Sequence, residues 1–190
     1  IAILGALLPA SFVAKAEVAG WPLFGVLAKL QRTVFVDRRA SRATKQRDEM
    51  ILRLEAGDNL ILFPEGTSSD GNAVLPFKSA LFSVAQVEPN GAPLTVQPVS
   101  VAYTRLDGMP IGRALRPYFA WYGDMTLAPH FWEVAGLGHA TVDVVFHPAV
   151  TIAEYQSRKA LAEYCYAVVA EGVSRANAGR LDGLLPAPAS

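Results

Sequence analysis

One cysteine, Cys165, is all this 190-residue chain has, so no disulfide framework can staple it and a reducing compartment is expected. Net charge is missing too: 17 Lys and Arg balance 17 Asp and Glu, which argues against a generally basic nucleic-acid binder. Long apolar runs are absent. The one over residues 1–14 is interrupted by Pro9 and Ser11, meets Lys15 and is too short as it stands to cross a bilayer. It has no basic flank of the kind that opens a secretory signal. It starts at Ile1 in mid-pattern, so an upstream segment is expected. With 52% hydrophobic residues the chain is no disordered tract, and its length suits one domain burying about 70% of its unfolded surface.

Familiar chemical signatures are also missing. Gly66 and Gly71 have the spacing of a P-loop, but Asn72-Ala73 stands where Lys-Ser/Thr is needed, which disfavours nucleotide hydrolysis. Gly136-Leu137-Gly138 has Thr141 where a dinucleotide fingerprint wants Gly. No Gly-x-Ser-x-Gly elbow occurs. None of His130, His139 and His147 precedes an Asp by five residues or makes a metal-ligand spacing, so structural or surface roles and no metal are expected. Cys165 reads as a buried, inert thiol.

The even charge hides an asymmetry. Residues 1–53 hold nine basic and four acidic side chains, and the rest hold eight and thirteen. A basic first third suits an anionic partner. Helical and extended patterns then alternate. Residues 21–30 carry apolar side chains at helical spacing after Pro22. Residues 33–36 form a β-branched run. A helix is expected from Ser41 to about residue 56, with Met50, Ile51 and Leu54 inward and Gly57 as its stop. Residues 59–63 read as a strand buried on both faces, 64–73 as a loop and 78–86 as a helix. Residues 94–103 read as a strand that Pro98 must interrupt or end. Residues 140–146 alternate at Val142, Val144 and Phe146. A last helix is expected from a Thr151/Glu154 capping box to about residue 175, with a stripe of Leu161, Tyr164, Cys165, Val168 and Val169. The sum is an α/β domain over residues 1–178, with a central, mostly parallel or mixed sheet flanked by helices, and a flexible tail over 179–190.

Two strand ends carry chemistry. Phe63-Pro64-Glu65-Gly66-Thr67-Ser68-Ser69-Asp70-Gly71 runs from an apolar strand into a turn with carboxylates, glycines and hydroxyls. Ligands of open α/β sheets bind beyond such strand ends, and glycines let backbone N–H groups approach an anion. Val34-Phe35-Val36-Asp37-Arg38-Arg39 ends in two guanidinium groups suited to bidentate grip of phosphate or carboxylate. Lys29, Arg32, Arg42, Lys45 and Arg47 surround them in sequence.

These pieces, in this order, resemble the glycerolipid acyltransferase family, most closely its bacterial 1-acyl-glycerol-3-phosphate branch. The second, third and fourth blocks are matched by Val34-Phe35-Val36-Asp37-Arg38-Arg39, Leu62-Phe63-Pro64-Glu65-Gly66-Thr67 and Val96-Gln97-Pro98-Val99-Ser100-Val101. Pro76-Phe77-Lys78-Ser79 follows the third block as in the family. The first block, His-x-x-x-x-Asp, is absent, and the family spacing would put it just before Ile1. The resemblance implies that its His is the general base that deprotonates the acceptor hydroxyl, so the chain alone is expected to be inactive. It implies that Arg38 and Arg39 hold the acceptor phosphate and that Glu65 and Gly66, with Thr67 and Ser68, shape the acceptor site. Pro98 would help form the acyl pocket. The acyl donor would be acyl-CoA or acyl-carrier protein, with no other cofactor. One departure stands out: Ser68 and Ser69 follow Gly-Thr where the family commonly has Arg. Lys78 or the backbone amides of residues 66–71 are the candidates to compensate.

The expected reaction is acyl transfer to a lysophospholipid, 1-acyl-glycerol-3-phosphate giving phosphatidic acid, with a lyso-ornithine lipid as the alternative acceptor. Such an enzyme would work at a membrane surface, on the cytoplasmic face of the inner membrane. Two rivals are a non-catalytic module for anionic lipid and a phosphate-ester hydrolase using Asp37 or Asp70, for which no metal-binding cluster is apparent.

Overall fold

The computed structural model describes residues 2–15, 33–36, 40–123, 125 and 127–181. The expected helix over residues 21–30, the arginines Arg38 and Arg39, and the tail beyond residue 181 lie outside the described residues. The chain divides into two units, residues Ile1–Pro64 with Ser83–Leu94, and residues Glu65–Phe82 with Thr95–Ser190.

The first unit is built on a small parallel sheet. Strand β1 (Ser11–Lys15) lies between β2 (Val34–Val36) and β3 (Leu60–Ile61), with Val13 opposite Val34 and Phe12 opposite Ile61. Parallel strands need a crossover connection, and helix α2 (Ala40–Glu55) lies in the one that runs from β2 past β1 to β3. A short helix α1 (Ala2–Leu7) precedes β1. Gly57 ends α2 as its sequence position suggests. Its φ is +83°, and the Gly57 and Asp58 N–H groups donate to Leu54 O and Arg53 O, both at 3.0 Å, in a Schellman cap. Met50, Ile51 and Leu54 are half-buried, as expected, while Leu52 faces solvent.

The strand over residues 59–63 falls short of expectation. Only Leu60–Ile61 pair, and both are half-buried. Among the described residues β3 has a strand neighbour on one side only, so its apolar run is less enclosed than in a broad doubly covered sheet. The run continues as a packing surface: Phe63 stacks on the buried Phe12 at 6.1 Å.

The second unit is antiparallel. Strand β5 (Val99–Leu106) lies between β6 (Met109–Pro110) and β7 (Ala140–Phe146), and β4 (Thr95–Val96) pairs with β8 (Val150–Thr151). Mixed pairing is therefore present, distributed over three separate sheets among the described residues. Pro98, which cannot donate to a ladder, ends β4 and separates it from β5. Helix α3 (Leu127–Gly136) accommodates Pro129 in its first turn, where the missing N–H costs nothing.

Helix α4 (Arg158–Asn177) packs on β5. It buries Leu161, Cys165 and Val169 of the expected stripe, and also Ala162, Gly172, Val173 and Ala176. Its start differs from expectation. The Thr151/Glu154 box forms, with Thr151 N donating to Glu154 Oε1 at 2.6 Å, but it closes only a 3-10 turn over Ile152–Glu154. The chain then extends through Tyr155, and Ser157 caps α4 by accepting from Ala160 N at 3.2 Å. Two capping signals six residues apart compete, and the second begins the long helix. The helix expected over 78–86 is a 3-10 helix, Ser79–Gln86. In β7 the buried side chain near the end is Val145, while Phe146 is exposed, so the alternation marks the strand but not its inner face.

Candidate functional site

The turn after β3 is shaped by two glycines in the left-handed region, Gly66 at φ +66° and Gly71 at φ +79°. Between them Thr67 and Ser68 are exposed. At the base of the turn Glu65 Oε2 accepts from Leu75 N at 2.6 Å, tying together positions ten residues apart. Burial pushes the Glu65 carboxyl above the usual carboxylate range, and the Leu75 N–H bond partly offsets it.

Lys78 returns over this turn. Its Nζ lies 2.6 Å from where a Cβ on Gly66 would sit, so Gly66 both adopts the conformation and leaves room for the ammonium. Lys78 is exposed, and among the described residues its ammonium forms no ion pair. Its neighbour Phe77 anchors the segment, stacking on Phe82 at 6.3 Å and meeting Tyr166 of α4 edge-on at 5.6 Å. The structure thus gathers Glu65, Gly66, Thr67, Ser68 and Lys78 into one loop. An exposed cation over Gly66, in a turn that also carries two exposed hydroxyls, can seat an anionic group.

Pro98 belongs to a different cluster of the same unit. It is buried, and its carbonyl accepts from His147 N at 3.0 Å. Gln97 Nε2 donates to His147 O at 3.3 Å. His147 and His130 are buried, while His139 N, just before β7, donates at 2.8 Å to Oδ1 of Asp107 in the turn between β5 and β6. Burial pushes Cys165 up to about 11, as expected of an inert thiol.

Sequence reasoning missed Arg116 and Asn72. Arg116 Nη1 donates to Asn72 Oδ1 at 3.2 Å, at the far end of the turn. The separation of 44 residues leaves no local pattern to find them by.

The family model described as Acyltransferase matches residues 1–102. The chain belongs to this acyltransferase family. Among acyltransferase relatives, a lyso-ornithine lipid O-acyltransferase of Brucella abortus (strain 2308) is 48% identical over 85% of this chain and 62% of the relative. A 1-acyl-sn-glycerol-3-phosphate acyltransferase of Neisseria gonorrhoeae is 32% identical over 83% of this chain and 58% of the relative. The chain spans about three-fifths of the length of these curated relatives. The crystal structure of the 1-acyl-sn-glycerophosphate (LPA) acyltransferase PlsC from Thermotoga maritima shares the fold, with a TM-score of 0.56 and 24% identity over 91% of this chain and 59% of that one. The α/β acyltransferase fold expected from the three sequence blocks is therefore the fold observed.

Proposed function

We propose that the protein carrying this chain transfers an acyl group from a thioester to the free hydroxyl of a lysolipid, and that the acceptor is a lyso-ornithine lipid. The observation that carries the choice of acceptor is the difference in identity, 48% to the lyso-ornithine lipid enzyme against 32% to the glycerophosphate enzyme over similar shares of the chain. The third block agrees. Ser68 and Ser69 stand where the glycerolipid pattern has Arg, and an ornithine headgroup offers a carboxylate and an amine but no phosphate.

In this reading the acceptor oxygen attacks the thioester carbonyl, the family's His takes the hydroxyl proton, and the thiol leaves. A positioned base of this kind contributes about 10²–10⁴-fold in rate. Lys78 pairs with the headgroup carboxylate, Arg38 and Arg39 add cationic grip, and Glu65 with Gly66 shapes the headgroup end. Pro98 borders the acyl chain. The donor is acyl-CoA or acyl-carrier protein, no metal takes part, and the acceptor comes from the cytoplasmic face of the inner membrane.

The test offers the full-length protein lyso-ornithine lipid or lysophosphatidic acid in mixed vesicles, with acyl-CoA or acyl-carrier protein as donor. Thiol release and product mass are read. Faster turnover with lyso-ornithine lipid is expected. Faster turnover with lysophosphatidic acid would return the acceptor to a glycerophosphate. Vesicle binding with no turnover by any combination would favour a lipid-binding module instead.

A further inference from the structure

The Glu65–Asn72 turn has no regular secondary structure to stiffen it, yet its far end is tied to the body of the second unit by one side chain. The Asp70 carboxylate accepts from Asn72 N at 3.0 Å and from Asn72 Nδ2 at 2.9 Å. These bonds hold the Asp70 carboxyl below its usual range. They also orient the Asn72 amide, since a flipped amide would set its oxygen against a carboxylate. The Asn72 Oδ1 is thereby presented to Arg116 Nη1 at 3.2 Å.

The second terminal nitrogen of the guanidinium faces fixed backbone, while Nε is buried without a hydrogen-bond partner among the described residues. Arg116 Nη2 donates to Ile111 O and to Asn177 O, both at 3.0 Å. Ile111 is buried and follows β6, and Asn177 is the last residue of the 20-residue helix α4. A cation at a helix C-terminus is favourably placed. Arg116 opens the 3-10 turn Arg116–Phe119, whose Phe119 stacks on Tyr103 of β5 at 5.2 Å. All three acceptors are neutral, and among the described residues no carboxylate pairs with Arg116.

We infer that Arg116 is a positioning residue: it clamps the Asn72 end of the turn to β6 and α4, and so sets where Gly66, Thr67 and Ser68 meet the acceptor headgroup. The role needs a planar fork. A lysine ammonium is a single point charge on a differently shaped stem and cannot reproduce three bonds in this geometry. The inference rests on the acyl-transfer reading for its kinetic consequence, but not for its structural one.

The experiment uses Arg116→Lys and Asn72→Ala in the full-length protein. Amide hydrogen exchange is followed at residues 66–72, with KM for lyso-ornithine lipid and for the thioester donor. Expected are faster exchange confined to residues 66–72 and an acceptor KM raised by about 10- to 100-fold, with donor KM unchanged. The double variant should be no worse than the worse single, because both cut the same link. Unchanged exchange, parallel rises in both KM values, or additive single effects would each overturn the inference. Asn72→Ala keeps the test open if Arg116→Lys folds poorly. A wild-type protein that transfers no acyl chain would sink the acyl-transfer reading, and amide exchange would still decide for or against the clamp.

Discussion

The Ser100 hydroxyl and the His147 imidazole meet at 2.7 Å inside the second unit, and the same hydroxyl donates to Val169 O of α4 at 3.0 Å. Since the hydroxyl proton goes to the carbonyl, His147 Nε2 carries the hydrogen and donates to Ser100 Oγ. The pair resembles a nucleophile beside a base, but its geometry assigns it to structure. Ser100 is only 1% exposed, and its proton is already committed. Gly172 lets α4 approach here: a Cβ at this position would collide with Ser100 Oγ and lie 2.8 Å from the His147 ring.

Ser100→Ala should therefore lower stability by about 1–3 kcal/mol, because it leaves a buried imidazole N–H unpaired. Gly172→Ala should cost about 1–3 kcal/mol by overpacking. Urea unfolding measures both. A neutral result for Gly172→Ala would mean that α4 and β5 are less closely packed than described.

Acid should weaken the second unit through His147. Burial holds its pKa below the ordinary value, so the folded protein favours the neutral ring. Its contribution is complete above the unfolded pKa of about 6.5 and is lost as pH falls below that value toward the folded one. Melting temperature from pH 8 to 5 should fall less steeply in His147→Gln than in the wild type. Equal slopes would remove His147 from the acid response.

Glu65 has the opposite linkage. Burial raises its carboxyl pKa, so its ionised form costs stability at neutral pH and that cost is relieved on acidification. Glu65→Gln should fold at least as stably as the wild type at pH 7, since the amide oxygen can still accept from Leu75 N. Glu65→Ala should lose about 1–3 kcal/mol by leaving that N–H without its partner. Both should turn over acceptor more slowly. Full activity in Glu65→Gln would exclude the carboxylate from acceptor binding.

Gly66→Ala should cost about 1–3 kcal/mol, the usual size of strain for a side chain held at positive φ. Displacing the flexible end of Lys78 adds little. Lys78→Met, by contrast, should leave stability unchanged and raise the acceptor KM. If Lys78→Met destabilises the fold instead, the ammonium has a structural task.

Some fold details could have been foreseen from signals already in the chain. Asp107 and Gly108 both have positive φ and form the two-residue turn between Leu106 and Met109, the Asp-Gly hairpin signature. Helix α3 was obscured by Pro129, which punctuates a pattern it only begins. The capping box at Thr151 was legible, but its helix was not, because Ser157 offers an equivalent cap and local sequence does not rank the two.

By itself the sequence determined the family, the order of the blocks, the stop of α2 at Gly57, the break at Pro98 and the glycine-shaped turn from Glu65 to Asn72. The family and its blocks rest on the motif resemblance, and the other three rest on backbone rules acting over a few residues. Tertiary structure alone decided that Lys78 lies over Gly66, that Arg116 reaches Asn72 and that His147 donates to Ser100. Arg116 and Asn72 are 44 residues apart, and Ser100 and His147 are 47 apart. Hydrogen-bond partners at that distance are chosen by the packing of whole elements, which local periodicity does not encode.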